Sequence, residues 1–229
     1  MKILREISLT FDRPLSSAGS KVELMSRVVC ALLIQALGRR IKTPNFWKIS
    51  VRVNARDDSE NGSVLLGVLI VNKSFPVEQF LDWPLGSRQD YMLKFIAGVL
   101  HEVFRQFEIN PCCLGEAVQY VVAKEFRNYI VGRRVFRGPE DGLSARIECE
   151  QEMDEARVYA RFQRGSSALG QRAFVIRTDP EEFVIQKFFG AIEWLDGAKP
   201  VLRLVDGSML SICQVPDDHG QMAGSGLSS

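Results

Sequence analysis

The sequence predicts an α+β protein with mixed or antiparallel sheets and several packed helices. Three observations carry that expectation. Apolar residues recur at helical spacing in two long stretches, Val22 to Ala36 and Met92 to Phe107. Elsewhere apolar and polar residues alternate with the period of two that a half-buried strand needs. The two patterns are segregated: the helix-rich part comes first, and a strand-rich part follows a glycine- and proline-containing stretch at Gly138 to Gly142. With 46% hydrophobic and 25% charged residues, the chain has ordinary globular usage, which excludes bulk disorder.

Element by element, Ile3 to Phe11 reads as one strand with Ile7, Leu9 and Phe11 inward. Pro14 and Gly19 interrupt. Ser20, with Glu23 three residues on, is expected to cap a helix that runs to Leu37 and stops at Gly38. Arg39, Arg40 and Lys42 then sit where the helix dipole favours cations. Trp47, Ile49, Val51 and Val53 alternate with polar residues, so a half-exposed strand is expected there. Residues 56–63 read as a loop with an Asn61-Gly62 turn signal. Val64 to Val71 is apolar almost throughout and is expected to be one strand, covered on both faces and central in its sheet. A long helix is expected from about Ser87 to Phe107, with Met92, Phe95, Ile96, Val99, Leu100 and Val103 inward and His101 and Arg105 outward. Asn110-Pro111 opens another helix.

In the second part, Leu143 to Glu150 and Ala156 to Gln163 form the arms of a hairpin. A closing loop at Gln151 to Asp154 sets Ile147 opposite Val158 and Glu148 opposite Arg157. Ala173 to Arg177 adds a strand. Asp179-Pro180 opens a short helix ending at Gly190, and Ala191 to Leu195, Val201 to Val205 and Met209 to Val215 read as a meander turning at Asp196-Gly197 and Asp206-Gly207. The expected organisation is a helix-rich lobe at 1–138, a mainly β-meander lobe at 139–215 and a polar, flexible tail at 216–229.

Chemistry-bearing motifs do not appear. There is no Gly-x-Gly-x-x-Gly, no Walker-type loop, no Cys-x-x-Cys and no Gly-x-Ser-x-Gly. The formal net charge is +1, so no global field draws the chain to nucleic acid or anionic lipid. Five cysteines, an odd number at spacings that suit neither a disulfide framework nor zinc, fit a reducing cytosol. The longest apolar run, Val28 to Leu37, is too short to span a bilayer, and the N-terminal residues are interrupted by charge at once, so a cytoplasmic protein is expected.

Each remaining candidate has a plainer reading beside it. His101-Glu102 resembles the start of a zinc-protease helix, but Arg105 stands where the second histidine belongs, which assigns His101 to solvent. Cys112-Cys113 lie at a helix start, which can lower a thiol pKa, yet no histidine is near in sequence. Glu148, Glu150 and Glu152 alternate as metal-binding carboxylates could, but Arg146, Arg157 and Arg161 share their face, which favours a charge-paired sheet surface. Arg127, Arg133, Arg134 and Arg137, interleaved with Tyr129 and Phe136, form the one segment suited to single-stranded nucleic acid; the near-neutral chain and the missing RNA-binding signature count against it. Trp83, in the loop-like stretch Phe80 to Gly86, is the residue type favoured as a protein-binding anchor, and Asp82 and Arg88 would flank it; the alternative is that its ring plugs the edge of the core.

No catalytic, cofactor-binding or metal-binding residue is assigned, and the expected function is protein binding without catalysis. The alternatives are an enzyme assembled from scattered residues such as His101, Glu102 and a cysteine, or a nucleic-acid-binding factor using the arginines. The plan of Ile3 to Phe107 (strand, apolar helix, two strands, long helix) resembles cytosolic immunity proteins of bacterial toxin-delivery clusters. That resemblance implies a protein partner, a cognate toxin, neutralised by stoichiometric covering of its active site.

Overall fold

A computed structural model describes residues 1–11, 16–54, 60–165, 170–195 and 199–212. The chain is α+β, with the helices mostly in its first part. Residues 55–59 of the loop region, the expected Asp196-Gly197 turn and the polar tail lie outside the described residues. Two units emerge. The first comprises Met1–Tyr129, Glu150–Ala156 and Asp179–Glu182; the second comprises Ile130–Cys149, Arg157–Thr178 and Phe183–Ser229.

The first unit is built on a four-stranded mixed sheet. Alternation makes β2 (Glu6–Phe11) and β4 (Lys48–Val53) strands, and α1 (Ser17–Leu37) connects them, so the two run parallel. β6 (Val68–Lys73) is parallel to β4 on its other side, with Ile7, Ile49 and Leu69 in register. The inward residues Leu9, Ile49, Val51 and Val53 are buried with the apolar stripes of α1, α3 (Leu85–Gln106) and α4 (Cys112–Ala123) in one core. The opposite face is polar: Lys48 pairs with Glu6 at 2.6 Å and Arg52 with Glu60 at 2.5 Å.

Several boundaries differ from expectation for local reasons. Residues 3–11 are not one strand. β1 (Lys2–Ile3) pairs with β3 (Lys42–Thr43), and the chain steps across Leu4 and Arg5 into β2. Ser16, not Ser20, caps α1, because its side-chain oxygen accepts the Gly19 N–H at 3.0 Å. Gly38 ends α1 at φ +57°, and the Arg40 guanidinium, beyond it, donates to the free carbonyls of Ala36 and Leu37, as the dipole argument expects. Val64 to Val71 breaks into β5 (Val64–Leu65) and β6 at a turn through Leu66 and Gly67, both at positive φ. A side chain at Gly67 would lie 2.8 Å from the Trp47 ring, so only glycine fits. A further helix, α2 (Val77–Asp82), precedes α3, which begins two residues before Ser87.

A turn far along the chain completes this unit. Met153 is fully buried in the same core, and Asp154 receives both terminal nitrogens of Arg88, at 3.0 and 2.9 Å. A chain of side-chain amides runs beside it. Gln35 donates to Asn128 at 2.7 Å, Asn128 to Gln151 at 3.0 Å, and Gln151 to the Pro180 carbonyl at 2.7 Å. The buried polar groups of Asn128 and Gln151 are thereby satisfied.

In the second unit, β9 (Leu143–Gln151), β10 (Ala156–Arg164) and β11 (Gln171–Thr178) are neighbours in a sheet that β7 (Asn128–Val131) and β8 (Phe136–Arg137) extend on the β9 side. A second, antiparallel sheet follows the short helix α5 (Glu182–Lys187): β12 (Ala191–Leu195), β13 (Lys199–Arg203) and β14 (Met209–Ser211). Phe162 meets Trp194 edge-on at 5.8 Å, and the Trp194 indole donates to the Arg137 carbonyl at 3.1 Å.

The hairpin faces are as expected, but its register is not. Ile147 and Val158 are both buried on one side. Glu152 N–H bonds Glu155 O and Gly165 N–H bonds Gly142 O, each at 2.8 Å. Those bonds place Ile147 across from Ala160 and Glu148 across from Tyr159, a slide of two residues from the expected pairing. A slide of two keeps every side chain on its face, so the alternation alone could not detect it. The physical cause is Met153, whose burial puts the turn at Met153-Asp154. Glu148 consequently pairs with Arg161 at 2.5 Å and Arg172 at 3.1 Å.

Candidate functional site

The corner between α2 and α3 holds the residue the sequence singles out. Trp83 closes α2, its N–H reaching the Phe80 carbonyl at 3.3 Å, and Pro84 stands at the N-cap of α3. The indole is half-buried and stands edge-on to Phe80 at 6.0 Å and to Tyr91 at 5.0 Å. Phe75 packs edge-on against Phe80, Tyr91 and Phe95 beneath it. The ring is thus both a plug on the core edge and a partly exposed, rigidly backed aromatic. Beside it, Asp82 and Pro84 are exposed and Leu85 is 39% exposed. Arg88 belongs to this corner by sequence, but its guanidinium is engaged by Asp154.

The other candidates separate. His101 is exposed on α3, and Glu102 beside it is paired with Lys73. Among the described residues no group of three or more His, Cys, Asp or Glu side chains could hold a metal ion. Cys112 is exposed and Cys113 buried; both line a cavity of about 390 Å³ with Arg40, Phe107 and Glu116. Burial pushes the Cys113 thiol above its ordinary value, and Arg40 is already paired with Glu116 at 2.9 Å. His101 does not line this cavity. Cys30 is buried more completely, and its thiol is pushed up to about 12, mainly by loss of solvent.

The four arginines of the basic segment do not share one environment. Arg127 lies in the first unit and pairs with Glu152 at 3.2 Å and Glu125 at 3.6 Å. Arg133 and Arg134, in the second unit, line a cleft. Arg137 is exposed on β8. Sequence reasoning missed the far wall of that cleft, which comes from Phe189 to Ala191 and Arg203 to Val205. It also missed Met153 and Asp154 as anchors, although an isolated Met within an acidic run is a visible signal of a buried turn.

No helix among the described residues is long and apolar enough to cross a membrane. Comparisons with known protein families, with curated proteins and with solved structures return no match to this chain.

Proposed function

We propose that this chain is a non-catalytic, cytoplasmic protein-binding module that acts by stoichiometric occlusion of a partner, the mode of action of toxin-neutralising immunity proteins. The Trp83 corner is the observation that supports this reading. An aromatic ring held against Phe80 and Tyr91 loses little side-chain freedom when a partner covers its outer face. Exposed Pro84 and Leu85 extend the apolar patch, and Asp82 gives it a polar rim. The free thiols Cys30, Cys112, Cys113 and Cys149 suit a reducing compartment.

Affinity purification from the native host, followed by titration of the recovered partner, tests it. The expected result is saturable one-to-one binding that Trp83→Ala weakens by about 2 kcal/mol, roughly thirtyfold, with an unchanged circular dichroism spectrum. Unchanged affinity removes this corner from the interface. Turnover of the partner by a small fraction of an equivalent overturns the non-catalytic reading.

A further inference from the structure

The second unit carries a cleft of about 530 Å³ that the Trp83 corner does not involve. Three stretches build it: the run after β7, the β9 strand at Ile147, and the segments flanking β12 and β13. Its floor is tightly fixed. Gly132 donates to the Ile147 carbonyl at 2.8 Å, and a side-chain carbon at Gly132 would lie 3.2 Å from the Phe189 ring. At Gly190 such a carbon would collide with the Arg203 carbonyl. Val205 N–H is tied to the Lys187 carbonyl at 3.0 Å. The cleft is therefore formed before any ligand arrives.

Its charge is uneven. Arg203 is neutralised by Glu193 through two bonds of 2.6 and 2.8 Å. Arg133 and Arg134 are exposed and have no ion pair or hydrogen bond among the described residues. These two guanidiniums, unpaired among the described residues, offer two forks that match carboxylates. Around them the surface is aliphatic: Val205 lines the cleft at 69% exposed, and Val135, between Arg134 and Phe136, is 50% exposed. Exposed aliphatic groups beside paired cations fit a polypeptide that brings both carboxylates and an apolar side chain.

We propose that this cleft docks an acidic segment of a protein partner. Two of its carboxylates engage Arg133 and Arg134, and one leucine- or phenylalanine-sized side chain covers the apolar lining at Ile147, Phe189 and Leu204. The proposal rests on the reading of the chain as a protein binder, but it uses none of the Trp83 surface.

The test is an NMR titration of the ¹⁵N-labelled full chain with a synthetic peptide that alternates glutamate with leucine and phenylalanine. Amide shifts are expected at residues 132–136, 189–191 and 203–205. They should weaken with added salt and need at least tenfold more peptide in the Arg133→Glu/Arg134→Glu variant, whose remaining spectrum reports an intact fold. The same peptide with lysine for glutamate should leave the cleft unmoved. Absence of shifts there, shifts unaffected by the double variant, or tighter saturation by oligo(dT) or by inorganic phosphate would each overturn the proposal. A peptide response at the cleft combined with unchanged partner affinity in Trp83→Ala would retain this site while rejecting the Trp83 interface.

Discussion

Met153 offers the sharpest test of how the first unit is held together. Its side chain is 0% exposed and sits among the residues of that unit's core, while its neighbours in sequence are acidic. Met153→Ala removes three side-chain heavy atoms from a closed environment. At about 0.8 kcal/mol per buried methylene-sized group the transfer loss alone is roughly 2 kcal/mol. The cavity left behind raises the expected cost to about 2–4 kcal/mol, within the range seen for Met→Ala in cores. Met153→Leu, which keeps the volume, should cost less than about 1.5 kcal/mol. Because two units are present, one global transition cannot be assumed, and hydrogen exchange read by mass spectrometry is the suitable assay. Protection should fall in α1, α3 and α4, remote in sequence from residue 153. An alanine variant that costs under about 1 kcal/mol, or that loosens only β9 and β10 nearby, would refute the reasoning.

Other outcomes follow from the same structure. Asp154→Ala strands the mostly buried Arg88 guanidinium and should destabilise the first unit by about 1–2 kcal/mol in urea unfolding, the low part of the range because Asp154 is itself 39% exposed. Cys112 should react quickly with a thiol reagent near neutral pH, and buried Cys30, with its thiol pushed up to about 12, should react only on unfolding; mass spectrometry of the labelled peptides distinguishes them. The Arg203 guanidinium holds the Glu193 carboxyl below its ordinary 4.5, so this pair's contribution is complete above about pH 4.5 and lost as pH falls through the lowered value. Amide shifts of β12 and β13 should record that loss, and Glu193→Gln should abolish the acid dependence.

The helices were the most legible part of this fold. The stripe from Met92 to Val103 is buried as its spacing requires, and Gly38 ends α1 where the sequence places the stop. The alternation also marked the polar face of β9 and β10, but it named Arg157 as the partner of Glu148, whereas Arg161 and Arg172 hold that carboxylate. Register and strand breaks were less legible because they depend on distant packing. Gly67 is a local hint of a break in the Val64 to Val71 run, but a glycine inside a strand pattern equally marks a bulge or a close approach. The deciding fact is the Trp47 ring lying over Gly67. The cleft was half visible: Arg133 and Arg134 stand out as a pair, but the residues opposite them are joined to them only by the fold. At the Trp83 corner the sequence named the ring and left its backing open, because the Phe75, Phe80 and Tyr91 cluster forms only once α2 and α3 are in place.

The scattered make-up of the first unit has a consequence for biosynthesis. Its last contribution, Asp179–Glu182, leaves the ribosome about fifty residues after Tyr129. At about 5–20 residues per second, that interval is roughly 3–10 s. For about the first half of it, the nascent α1, α3 and α4 lack the Met153 side chain that fills their core, and until its end they lack the Pro180 carbonyl that ends the amide chain. A fragment ending at residue 129 would be frozen in that state, with an apolar hole open to water and to chaperones. Trimming the coding region to what looks like an amino-terminal domain would therefore yield a sticky, poorly recovered polypeptide, because Met153, Asp154 and Pro180 would all be missing from it.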